Sequence, residues 1–101
     1  MIVYNITIKT EPAIASQWLK WLATEHAPAM VATGCFYDFH ILQLLEVDDS
    51  EGPTFAVQFY AHTAAHYEQY RENFEKRFQQ KAAERWGSRF VSFSTLMQTA
   101  V

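Results

Sequence analysis

Hydrophobic and polar positions alternate from the start of the chain, with Ile2, Tyr4, Ile6 and Ile8 set against Val3, Asn5, Thr7 and Lys9. A period of two predicts a strand with one buried and one mixed face. The period then changes. Pro12 suits the first turn of a helix. Ile14, Ala15, Trp18, Leu19, Trp21, Leu22 and Met30 fall on one arc of a helical wheel, and Gln17, Lys20, Ala23, Thr24 and Ala27 cover the remainder. Pro28 has no amide hydrogen and crowds the carbonyl of Thr24, which predicts a kink. Gly34 is placed to end the helix in the left-handed conformation.

From Cys35 to Val47 the chain is aromatic and branched, with Tyr37, Phe39, Ile41, Leu45 and Val47 set against Phe36, Asp38, His40, Leu42 and Leu44. Asp48 to Pro53 is a polar turn cluster. Phe55, Val57 and Phe59 then alternate with Ala56, Gln58 and Tyr60 in a further strand. Thr63 is a helix N-cap in type. Tyr67, Tyr70, Phe74 and Phe78 form an aromatic stripe on the helix that follows, which Gly87 ends. Residues 89–101 alternate again as a last strand.

The order is βαββαβ, which predicts an α+β, ferredoxin-like fold with a four-stranded antiparallel sheet and two helices on one face. The other face would carry Val3, Asn5, Thr7, Asp38, His40, Leu42, Leu44, Ala56, Gln58, Tyr60, Ser92, Ser94 and Leu96. That set is too apolar for comfortable exposure, and a second copy of the same sheet would cover it in a two-fold homodimer. A length of 101 residues fits one domain, residues 1–101.

Charge and composition narrow the partners. Eight Lys and Arg against eleven Asp and Glu give a net charge of −3, which offers no attraction for nucleic acid or an anionic membrane. Met1 runs directly into a strand pattern, so no leader segment is expected, and no apolar run is long enough for a membrane span. The single cysteine, Cys35, can form no internal disulfide, which is ordinary for a cytoplasmic protein.

The segments Met1–Thr7 (MIVYNIT), Trp18–Leu22 (WLKWL), Glu25–Pro28 (EHAP), Ala32–Gly34 (ATG), Thr54–Tyr60 (TFAVQFY) and Arg89–Val91 (RFV) together resemble DUF4286, a family of small bacterial domains of unknown function. Such proteins are similar to the dimeric α+β-barrel group, whose members include cofactor-independent monooxygenases, small isomerases, haem-degrading enzymes and ligand-binding regulators. The resemblance implies the fold and transfers no activity, because function lives in the site rather than the fold.

Two residues stand out for chemistry. Glu25 falls inside the apolar arc between Trp21 and Trp18, where a carboxylate is costly without a partner. His26, beside it, falls between Leu22 and Leu19. Two readings are open: a proton-transfer pair just before the proline, or a carboxylate reaching past the helix end to water or an arginine with a hydrogen-bonded core histidine. All four histidines are expected near one pole of the molecule. Strand parity separates His40 from His26, and His62 and His66 have no marked third ligand, so no metal site is expected. Cys35 has no activating base beside it. With three glycines there is no phosphate loop or dinucleotide fingerprint, and no cofactor is expected. The third strand also lacks the aromatic pattern of an RNA-recognition fold.

Tyr4, Trp18, Trp21, Tyr67 and Tyr70 carry rings with polar tips. They predict room for a small apolar or aromatic ligand between helices and sheet. The function expected is therefore that of a homodimeric binding or interaction module. The alternative is a cofactor-independent monooxygenase or isomerase, with His26 and Glu25 moving protons and Tyr4 and Trp21 holding substrate.

Overall fold

The computed structural model describes residues 1–101. Four strands, β1 (Ile2–Thr10), β2 (Asp38–Gln43), β3 (Thr54–Ala61) and β4 (Phe90–Gln98), form one antiparallel sheet in the order β2-β3-β1-β4. Helical segments fill the connections from β1 to β2 and from β3 to β4. This is the ferredoxin-like α+β fold that the hydrophobic pattern predicts.

The register assigns the faces, because directly paired residues in adjacent strands point to the same side. Tyr4 pairs with Phe59 and Ile8 with Phe55, and all four are buried beneath the helices. They join Ile14, Trp18, Leu22, Met30, Phe36, Tyr70 and Phe78 in one core cluster. The same rule corrects the expectation for β4. Ile8 pairs with Ser92, Ile6 with Ser94 and Tyr4 with Leu96, so these three lie on the helix side of the sheet. Val91, Phe93, Thr95 and Met97 take the open face instead, and Phe93 is 64% exposed there. Periodicity puts the more apolar set inward, but pairing with β1 fixes parity, and the phase of β1 is set by its deeply buried Tyr4 and Ile8.

The strand β2 is shorter than the apolar run around it. Cys35 and Phe36 are buried before the strand begins, and Leu45 is exposed beyond its end. Gly52 closes the following loop with φ +126°, and its α-carbon lies against the backbone carbonyl of Thr10, where a side chain would collide. No helix is long and apolar enough to cross a membrane.

Two departures from regular helix shape the site. The first helical stretch begins with a short 3-10 turn and runs as α1 (Ala15–Trp21), a π-helical turn (Leu22–His26) and α2 (Ala27–Val31). Pro28 cannot donate to the Thr24 carbonyl. The chain accommodates it by widening the turn just before it, with the Ala27 amide bonding to Leu22, five residues back. The expected kink is thus a π turn.

The second stretch, predicted as one helix, is two: α3 (Ala64–Asn73) and α4 (Glu75–Trp86). Thr63 caps α3 by accepting from the His66 amide at 3.3 Å. At the far end, the side-chain amide of Asn73 donates to the Gln69 carbonyl at 3.0 Å, competing with the backbone for that acceptor. Phe74 then leaves helical geometry at φ −130° and ψ −29°, and α4 starts at Glu75.

Candidate functional site

The π turn decides where the two residues singled out for proton chemistry go. An α-helix sets residues three and four apart on one face, whereas a π turn brings residues five apart into line. Accordingly His26 stacks on Trp21, with ring centroids 4.3 Å apart and planes 25° apart. The other side of the imidazole meets the Phe78 ring edge-on at 5.5 Å. Glu25 is rotated outward and exposed, which corrects its placement inside the apolar arc. No hydrogen bond joins Glu25 to His26. Burial pushes the imidazole down from 6.5 to about 4, with the nearby Lys81 ammonium adding to the effect, so His26 is neutral near pH 7.

Between this turn, α4 and the β1–β4 half of the sheet lies a cavity of about 370 Å³, lined by 16 residues of which 12 are hydrophobic. Trp18, Trp21, Leu22 and His26 come from the first helical stretch, Tyr70, Phe78 and Ala82 from the second, and Tyr4, Ile6 and Ile8 from β1. The inverted parity of β4 matters here. Ser92 and Ser94 face the cavity and supply hydroxyls to a wall that is otherwise largely apolar. The size and the mixture suit a small organic molecule held by shape and oriented by a few polar groups.

Of the residues the sequence proposes as pocket lining, Tyr4, Trp18, Trp21 and Tyr70 line this cavity and Tyr67 does not. Tyr67 packs behind Tyr4, with ring centroids 5.4 Å apart, as part of the core.

The residue that sequence reasoning missed is Glu75. Its carboxylate accepts a hydrogen bond from the Tyr4 hydroxyl at 3.2 Å. Burial raises the phenol of Tyr4 well above its ordinary range, and the Glu75 charge raises it further, while Ser94 opposes the rise slightly. Tyr67 and Tyr70 are shifted in the same direction by burial first, with Glu75 contributing to both. The signal available in the sequence was a carboxylate set between Phe74 and Phe78 in the aromatic stripe.

The other histidines lie apart from this site. His40 Nδ1 is 3.0 Å from the Tyr60 hydroxyl, which donates in turn to Gln58. His62 stacks on Tyr37 with centroids 4.1 Å apart and meets the ring of His66 at 6.3 Å. No three His, Cys, Asp or Glu side chains come together as a metal site. Cys35 is buried and free.

Sheet order, helix layer and cavity define an α+β, ferredoxin-like protein. Residues 1–100 match the family described as Domain of unknown function (DUF4286), and the chain belongs to that family. No curated protein matches the sequence. Among solved structures, a dimeric ferredoxin-like protein from an uncultured marine organism is similar at TM-score 0.75 and 10% identity, covering 99% of this chain and 95% of its own. An ethyl tert-butyl ether d (ethd) family protein from Bacillus halodurans reaches TM-score 0.68 at 15% identity, covering 98% and 99%. SnoaB, a cofactor-independent oxygenase from Streptomyces nogalater, reaches 0.64 at 12% identity, covering 99% and 94%. At these identities the likeness speaks for the fold.

Proposed function

We propose that this chain is a single-domain, homodimeric binding module of the cytoplasm that takes a small apolar or aromatic molecule between its helices and its sheet. The cavity carries the reading. A pocket of about 370 Å³ beside Trp18, Trp21 and Tyr70 opens to solvent along β4, where Ser92 and Ser94 are exposed, and their hydroxyls are polar groups a ligand could use. Glu25 lies outside this cavity, and the role left to it is at the surface.

The dimer is supported by the open sheet face. Leu42, Val91, Phe93 and Met97 are large apolar side chains, 40–67% exposed on that face. A second copy of the face would cover them. Similar structures described as dimeric ferredoxin-like proteins favour the same arrangement. Native mass spectrometry tests both parts. A dimer that releases a bound small molecule on collisional activation is expected, and Phe93→Lys should yield a folded monomer. A native protein that is monomeric and empty, and stays empty with added aromatic compounds, overturns the reading.

One observation favours a second reading, a cofactor-free enzyme like the similar oxygenase. His26 presents a neutral imidazole on the cavity wall, able to accept or donate a proton. Oxygen-dependent turnover of a bound aromatic compound, lost in His26→Ala without loss of binding, would establish it.

A further inference from the structure

The cavity has a neighbour. A second depression of about 410 Å³ opens on the surface between the π turn and α4, and Trp21, His26 and Phe78 line both. These three rings therefore lie between a mostly hydrophobic pocket and a charged mouth. Four charged side chains surround the mouth: Glu25 from the π turn, and Lys81, Glu84 and Arg85 from α4.

The four charges are not equivalent. Glu84 accepts a hydrogen bond from Gln80 at 2.9 Å, and Glu25 points out to solvent. Lys81 and Arg85 lie four residues apart, on one face of α4. Each cation rests over an aromatic ring, Lys81 Nζ at 5.6 Å from the centre of Phe78 and Arg85 at 4.6 Å from that of Trp86. Neither is neutralised, because the chain's two ion pairs are Arg71–Glu68 and Arg89–Glu11. Lys81 is also the charge that, after burial, adds to the lowering at His26. Lys81 and Arg85 are thus the unpaired cations of the mouth, which they share with the carboxylates of Glu25 and Glu84.

We infer that the molecule held in the cavity is a small aromatic or apolar carboxylate, which enters between the π turn and α4 and leaves its anionic group on Lys81 and Arg85. Its apolar body passes Trp21 and His26 to lie against Trp18 and Tyr70. The inference rests on the cavity being a ligand site and adds the chemical class of that ligand. An amphipathic ligand with one charged end fits an interior that is mostly hydrophobic and an exit that carries two unpaired cations.

A matched pair of probes tests this. 1-Naphthaleneacetate and 1-naphthaleneacetamide share a body and differ in charge, and titration calorimetry reads both. The acid is expected to bind about fivefold more tightly than the amide, the size of one partly exposed ion pair. In Lys81→Gln/Arg85→Gln the ratio of acid to amide affinity should fall to about one. Bound acid, but not amide, should also raise the pH at which His26 titrates by NMR. Equal binding of the two probes, or a preference that survives the double substitution, overturns the anionic ligand and leaves the cavity reading standing. Failure of both probes to bind removes the two together.

Discussion

The ring of His26 lies on the ring of Trp21, five residues before it, at 4.3 Å. An ordinary α-helix would not align these positions; the π turn from Leu22 to His26 does. Pro28 is the cause, the widened turn is the local structure, and the consequence is a neutral imidazole shared by two depressions while Glu25 is turned to solvent.

That imidazole makes stability depend on pH. Its folded value of about 4 lies below the ordinary 6.5, so the unfolded chain binds the extra proton first. The contribution of His26 is fully present above pH 6.5 and is lost as pH falls from there towards 4. Denaturant unfolding across this window should show stability falling with acidity. In His26→Phe, which keeps a ring on Trp21, the slope should be shallower.

Tyr4 and Glu75 stand 71 positions apart and meet just past Phe74, where the helix departs from regular geometry. Glu75→Gln keeps an acceptor for the Tyr4 hydroxyl and removes the charge. Spectrophotometric titration in alkali should then find buried phenols ionising at lower pH than in the native protein. An unchanged titration would mean that burial alone sets the tyrosines.

Gly52 and Gly34 both have positive φ, but their surroundings differ. A β-carbon at Gly34 meets open space, so Gly34→Ala should cost about 1–2 kcal/mol, the conformational strain alone. At Gly52 the same atom would run into the Thr10 carbonyl, and Gly52→Ala should cost at least about 3 kcal/mol. Thermal or denaturant unfolding of the two variants gives the comparison.

Much of the fold is legible in the residues. The alternation of Ile2 to Ile8 and of Phe55 to Phe59, the Trp18–Leu22 arc and the cap at Thr63 reappear as strands, helix and N-cap. What was hidden has physical reasons. The parity of Ser92 and Phe93 follows from pairing with β1, a long-range contact, and local hydrophobicity points the wrong way because the apolar side of β4 lies on the open face. The outward turn of Glu25 depends on a helix widening that a wheel with a fixed period cannot represent. The break at Phe74 has no glycine or proline to mark it, only the side-chain amide of Asn73 competing for a carbonyl. Glu75 shows in the sequence only as a carboxylate between Phe74 and Phe78, and its partner Tyr4 lies 71 positions away.

The central claim is that the space beside Trp18, Trp21 and Tyr70 receives a ligand, and Ala82 lies on its wall. Ala82→Phe would place a ring in that space without removing any polar group. Calorimetric titration with 1-naphthaleneacetamide should give binding to the native protein and none to Ala82→Phe, with the variant at least as stable as its parent. Equal binding to the two proteins would contradict the account.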